Sequence, residues 1–100
     1  MAKEVLLTYL AAIDYENVID YLIVNWGINV TNNFIERFDQ VLILLSKNAG
    51  MFPFVDEVKR MQKCILTKHN ILYFIETEDI IEVITIFDTR QDPRKLTDII

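Results

Sequence analysis

Between Gln62 and Leu96 the chain reads QKCILTKHNILYFIETEDIIEVITIFDTRQDPRKL, and its apolar residues fall into three runs, Lys63–Lys68, Ile71–Thr77 and Ile80–Phe87. Ile, Val, Thr, Tyr and Phe dominate these runs, the residue types that suit a pleated, packed surface. Only two or three polar residues separate one run from the next. Links that short force neighbouring strands to run antiparallel, because a parallel crossover needs about a dozen residues or more. The spacing therefore predicts a three-stranded meander. In Ile80–Phe87 both alternating faces are apolar except for Glu82 and Thr85. A strand of that kind is expected to be central and covered on both sides.

Upstream, Glu4–Leu10 (EVLLTYL) reads as a short strand. The period then lengthens. Tyr15, Ile19, Leu22 and Trp26 recur three or four residues apart, with Val18 and Ile23 widening the stripe, which predicts an amphipathic helix over Ala11–Trp26. Gly27 suits its C-terminal cap. A second stripe of Phe34, Ile35, Phe38, Val41, Leu42 and Leu45 predicts another helix, capped by Asn29 or Thr31, with Lys47 in its last turn and Gly50 after it. A short connector makes the pair an antiparallel hairpin. Across Met51–Met61, Pro53 interrupts any helix, so this segment is expected to cross to the sheet. Met51, Phe52 and Phe54 are read there as buried loop hydrophobes rather than exposed anchors.

One apolar face per helix and per sheet gives a two-layer α+β fold. It consists of an N-terminal strand, an antiparallel two-helix hairpin and the antiparallel meander, expected as a single domain over residues 1–100. The helices can cover one face of the last strand. The other needs the chain's own tail or another protein, and is read as a hint of an obligate partner, a wholly buried strand being the alternative.

Bulk composition narrows the classes of function. Hydrophobic residues make up 52% of the 100, and mean hydropathy is +0.23, high for a small domain that cannot hide all its surface. Some apolar side chains are therefore expected to meet a partner. Cys64 is the sole cysteine and His69 the sole histidine, which excludes an intramolecular disulfide and argues against a Cys or His metal cluster. The start Met1-Ala2-Lys3-Glu4 lacks the features of a secretory leader, and no apolar run approaches a membrane span, so the expected location is cytoplasmic. Net charge is −5, all of it carried by residues 1–58, while 59–100 balance to zero and hold four cations and no anion within Lys59–Lys68. An acidic chain is repelled by nucleic acid at long range unless it gathers a local basic patch.

The same C-terminal stretch carries a family resemblance. His69-Asn70-Ile71-Leu72-Tyr73, the acidic turn Thr77-Glu78-Asp79, the strand Ile80–Phe87 and the tail Asp88-Thr89-Arg90-Gln91-Asp92-Pro93-Arg94-Lys95-Leu96 follow in order. This series resembles the C-terminal half of the RelE/ParE toxins of bacterial type II toxin–antitoxin pairs. There, a strand ending in tyrosine precedes an Ile/Val-rich strand that runs into an Arg-x-Asp-Pro tail. With the upstream elements, the resemblance covers roughly residues 4 to 96.

The resemblance implies a toxin neutralised by a cognate antitoxin, whose C-terminal segment lies along the apolar groove of helices and sheet. It also implies action on a target protein, with DNA gyrase the family's usual one, a role in plasmid stabilisation, no cofactor and no bound metal. A homodimer, or a heterotetramer with the antitoxin, is compatible with it. The alternative it carries is a RelE-type, ribosome-dependent mRNA endoribonuclease. Such an enzyme must neutralise the scissile phosphate, activate the 2′-hydroxyl and protonate the leaving oxygen. Asn70 stands where those nucleases place an arginine, and Leu96 where they commonly place a tyrosine, so no catalytic residue is assigned. A third reading is a degenerate relative that binds an antitoxin and poisons nothing.

The candidate target-binding residues are Arg90, Arg94, Lys95, Lys59, Arg60 and Lys63. Against that reading, Arg90 can simply pair with Asp88 or Asp92, and Lys59, Arg60, Lys63 and Lys68 can be the solvated cations of a sheet edge. His69 reads as a turn residue, and Cys64 and Tyr73 as core.

Overall fold

The computed structural model describes residues 2–100. Its elements are β1 (Glu4–Leu7), α1 (Tyr9–Trp26), α2 (Ile28–Asn48), a 3-10 turn at Ala49–Met51, β2 (Phe54–Asp56), β3 (Met61–Thr67), β4 (Asn70–Glu76), β5 (Ile80–Asp88) and α3 (Pro93–Ile99). The expected α+β order is present, and β3–β4–β5 form the antiparallel meander. Two strands extend it to five, in the order β1-β5-β4-β3-β2. β1 pairs parallel to β5, with Val5 opposite Ile81, after the chain has travelled through both helices and three strands. β2 adds a short antiparallel edge on β3.

Thr8 explains why the first strand ends three residues earlier than its sequence suggests. Its backbone N–H donates to the Val83 carbonyl (3.0 Å), continuing the line of β1 along β5. Its side-chain oxygen then accepts from the Ala11 N–H (3.1 Å), an N-cap that turns Tyr9 and Leu10 into helix. Its hydroxyl also donates to the Ile84 carbonyl at 2.7 Å. One turn later Asp14 takes over as the edge partner of β5. A single carboxylate oxygen accepts from the Thr85 hydroxyl (2.6 Å) and the Ile86 N–H (3.0 Å), satisfying strand groups that β1 no longer reaches.

The helical hairpin is tighter than the sequence suggests. Gly27 alone joins the helices, closing α1 and opening α2, with φ at +86°, a backbone setting that disfavours side-chain-bearing residues. Neither Asn29 nor Thr31 caps α2. Thr31 lies inside the helix, buried, and its hydroxyl donates back to the Gly27 carbonyl at 2.9 Å. Gly50 falls within the 3-10 turn rather than closing α2. Tyr15 packs on Phe38 and Phe34 with ring centroids 4.5 and 6.0 Å apart, holding the two helices together.

The crossover contains β2, and its hydrophobes divide. Phe52 packs edge-on to Phe74 (6.0 Å between centroids), whereas Met51 and Phe54 are exposed, against expectation. A buried glutamine anchors the segment instead. Gln62 Nε2 donates to the carbonyls of Ala49 (2.9 Å) and Phe52 (3.0 Å).

Both faces of β5 are covered, by different means. On the helix side thirteen buried residues form the main core, among them Phe34, Phe38, Leu45, Leu72, Phe74, Ile81 and Val83. On the opposite side Met61, Tyr73 and Phe87 are buried beneath Leu96, Ile99 and Ile100, so the chain's own tail is the cover. Strict alternation along β5 fails at one point. Tyr73 faces Thr85 and Phe74 faces Val83, which leaves Ile84 as an extra residue. This bulge moves Ile86 to the helix-side core and Phe87 to the tail side, beside Ile84.

Candidate functional site

Arg90 follows directly on the end of β5, where an Asp-x-Arg pattern builds a closed fork. The Asp88 carboxylate accepts from the Arg90 N–H (2.9 Å), from Nε (3.0 Å) and from Nη2 (2.7 Å). The guanidinium also stands 5.4 Å from the centroid of the Tyr21 ring on α1, a cation–π distance that ties the tail to the hairpin. The hydrogen bonds from Arg90 hold Asp88 below the usual carboxylate range, with a smaller contribution from the nearby His69, and raise Arg90 in turn. The pattern repeats four residues on. Asp92 caps α3 by accepting from the Arg94 N–H (2.9 Å), and its carboxylate receives Arg94 Nη2 at 2.7 Å. The Asp92 carboxyl is likewise lowered by its bonds from Arg94.

The candidate cations fall into separate places. Lys59 and Arg60 precede β3. Lys59 Nζ donates to the Ile100 carbonyl (2.7 Å), while Arg60, with φ at +59°, lies 5.8 Å over the Phe54 ring. Lys63 sits half-buried within β3, opposite Tyr73 of β4. Arg94 and Lys95 are exposed on the first turn of α3. Met61 pairs with Ile75 near one end of β4 and Asn70 pairs with Asp88 at the other. The two pairs are five residue steps apart on β4, about 17 Å, and Lys59 and Arg60 lie beyond Met61, which puts them about 20 Å from Arg90 along the strands. They do not converge on one phosphate.

Arg90 lies instead on a cleft of about 630 Å³ between the hairpin and the ends of β3 and β5. Val18, Leu22, Phe34 and Ile86 supply apolar lining, and Trp26, 63% exposed, stands at its rim with Tyr21. The charged groups of the cleft are engaged within the chain. Arg37 donates to the carbonyls of Ile65 (3.2 Å) and Leu66 (3.3 Å), Asp14 holds Thr85 and Ile86, and Asp88 holds Arg90. Asn70 is buried, and its Nδ2 donates to Thr67 Oγ1 at 2.9 Å. The position where the RelE nucleases carry an arginine is thus occupied by a short amide bonded to its own turn.

Residue-type reasoning passed over Tyr21, Arg37 and Asp14. Asp14 did leave a signal, as an acid within the apolar run Leu10–Ile13 to Tyr15. Cys64 is buried, and burial pushes its thiol up, away from the reactive thiolate. Burial also raises the Tyr73 phenol. His69 lies in the β3–β4 turn, where its carbonyl accepts from the Thr89 N–H at 2.8 Å. No helix among the described residues is long and apolar enough to cross a membrane.

An N-terminal strand laid parallel to the last strand of a meander, around a one-residue helical hairpin, and an Arg-x-Asp-Pro tail together define a small toxin of the RelE/ParE class. The model of the family described as "ParE toxin of type II toxin-antitoxin system, parDE" matches residues 5–93, and the chain belongs to that family. Its fold is similar to that of a solved structure titled "Chromosomal ParDE TA system from P. aeruginosa", with a TM-score of 0.72 at 17% identity over 87% of this chain and 96% of that one. No curated protein sequence matches the chain.

Proposed function

We propose that this ParE-family toxin acts by binding a target protein, DNA gyrase being the target the family resemblance suggests, and that a cognate antitoxin neutralises it in the cytoplasm. The observation that carries this reading is the dispersal of the cationic residues. Metal-free cleavage of RNA needs positive charge and proton-transfer groups gathered within hydrogen-bonding reach of one phosphate. Here Lys59 and Arg60 lie at the opposite end of the strands from Arg90, and Asn70 is spent on Thr67. A protein-binding toxin needs no such cluster. Arg90, fixed by Asp88 and Tyr21 at the mouth of an apolar cleft, suits a pre-organised contact for a protein surface.

Toxicity of variants in a bacterial host tests this. Arg90→Ala is expected to abolish growth inhibition, and the combined replacement of Lys59, Arg60 and Lys63 by Ala to leave it largely intact. Loss of toxicity in both variants supports the ribonuclease, which would need Lys59, Arg60, Lys63 and Arg90 together for its cationic site. Unimpaired growth with the wild-type chain, at soluble levels, supports a degenerate relative.

A further inference from the structure

On a surface helix the outward side is normally polar, and α1 departs from that rule. At about 100° per residue, Tyr9, Ile13, Glu16, Asp20, Ile23 and Val24 fall within one outward arc of roughly 100°. The core residues Ala11, Tyr15, Val18 and Leu22 lie on the opposite side. All six outward residues are exposed, Tyr9 to 84% and Val24 to 81%. Four of them are large and apolar, the other two are acids, and none is a cation.

The two acids add a second observation. Glu16 and Asp20 are one turn apart, a spacing at which like charges repel and weaken their own helix. Neither forms an ion pair among the described residues, and nor do Glu36 and Asp39, exposed on α2. The hairpin's own cations give no relief. Arg37 is bonded to β3 carbonyls, and Lys47 lies in the last turn of α2. An apolar stripe bearing uncompensated carboxylates is complementary to a partner with an apolar stripe edged by cations.

We propose that the outward face of α1 docks a cationic amphipathic helix of a partner protein, its leucine-like stripe on Tyr9, Ile13 and Val24 and its Lys or Arg residues on Glu16 and Asp20. From Tyr9 to Val24 the face is about 23 Å long, room for a helix of about four turns. A second copy of this chain does not fit as an isologous partner, since a two-fold contact would set these acids against themselves. The inference rests on the toxin–antitoxin reading only in taking the antitoxin as the source of that helix. The docking chemistry stands or falls separately from toxicity.

The test titrates the purified, ¹⁵N-labelled chain with three synthetic peptides of roughly 18 residues, enough to span that face. One is a helix with a leucine stripe flanked by lysines, one carries glutamate in place of lysine, and one is a shuffle of the first without a stripe. The lysine helix is expected to shift amide resonances along α1, with the shuffled peptide at least about tenfold weaker, a difference of one decade in dissociation constant. Glu16→Lys with Asp20→Lys should reverse the preference toward the glutamate helix. Val24→Ser, at a site too exposed to threaten folding, should weaken binding while keeping its salt dependence. Equal binding of helix and shuffle, shifts confined to other elements, or indifference to the charge reversal would each overturn the proposal. So would concentration-dependent self-association that Val24→Ser abolishes, which would make the occupant a second copy.

Discussion

The two faces of the sheet are covered by cores of unequal weight. The helix side buries thirteen residues beneath two helices of 18 and 21 residues. The tail side buries three, beneath a seven-residue helix of which no residue is itself fully buried. The difference teaches where this small fold places its stability and where it keeps adjustable surface. The helix-side core is continuous with the hairpin and defines the fold. The tail-side cover is held by three part-buried side chains, by the Asp-x-Arg forks at its start and by the Lys59 bond at its end.

Truncation on each side should separate them most widely. Phe74→Ala, at a residue with no solvent exposure that packs against Phe52, is expected to cost about 3–5 kcal/mol. Leu96→Ala, at a half-buried residue, should cost about 1–2 kcal/mol. Urea unfolding of both variants checks this, and equal losses would mean that the two cores are one cooperative unit of equal importance.

Next in size is Asp14→Ala. It leaves the buried Thr85 hydroxyl and the Ile86 N–H without their acceptor, at a cost of about 1–3 kcal/mol. Hydrogen exchange should show the Ile86 amide losing protection first, since the fault lies where α1 replaces β1 at the strand edge. If protection fell evenly over the sheet, Asp14 would not be acting locally.

The smallest effect is the pH response of the tail. Asp88 titrates below the ordinary aspartate range in the folded chain because Arg90 bonds its charged form. Its contribution is therefore complete above the unfolded-state value of about 3.9, and is lost as pH falls through the lower folded value. Arg90 is half-exposed and Asp88 part-exposed, so solvent screening keeps the contribution small. Asp88→Asn should flatten this part of the acid limb of a stability–pH profile. An unchanged acid limb would show that the fork is not formed in solution.

How much of this was legible beforehand follows the range of the interactions. The meander, the two helices and Gly27 as their breakpoint rest on local period and local turn chemistry, and each stands in the structure close to where the residues put it. That the second face needs a cover followed from apolar residues on both sides of Ile80–Phe87, but they pointed to a partner protein as readily as to the tail, and only the placement of Leu96, Ile99 and Ile100 decides for the tail. What escaped depends on partners far along the chain. Thr8 caps α1 because it meets Val83 and Ile84, and Ile84 bulges because of the register with Tyr73 and Phe74. β2 exists because Met61 and Gln62 offer it an edge. Lys59, Arg60 and Lys63 are separated in sequence from Arg90, Arg94 and Lys95 by the meander itself, and its register places Lys59 and Arg60 at the opposite end of the strands from Arg90. Asn70 was the exception, since one substitution in a short motif already weighed against the nuclease, and its buried bond to Thr67 gives that a physical form.

The most direct test of the central claim is pulse labelling of DNA and protein synthesis after induction of this chain alone in a bacterial host. The account predicts that DNA synthesis stalls first, while translation continues and messages stay whole. Early arrest of protein synthesis with cleaved messages would contradict it and restore the ribonuclease.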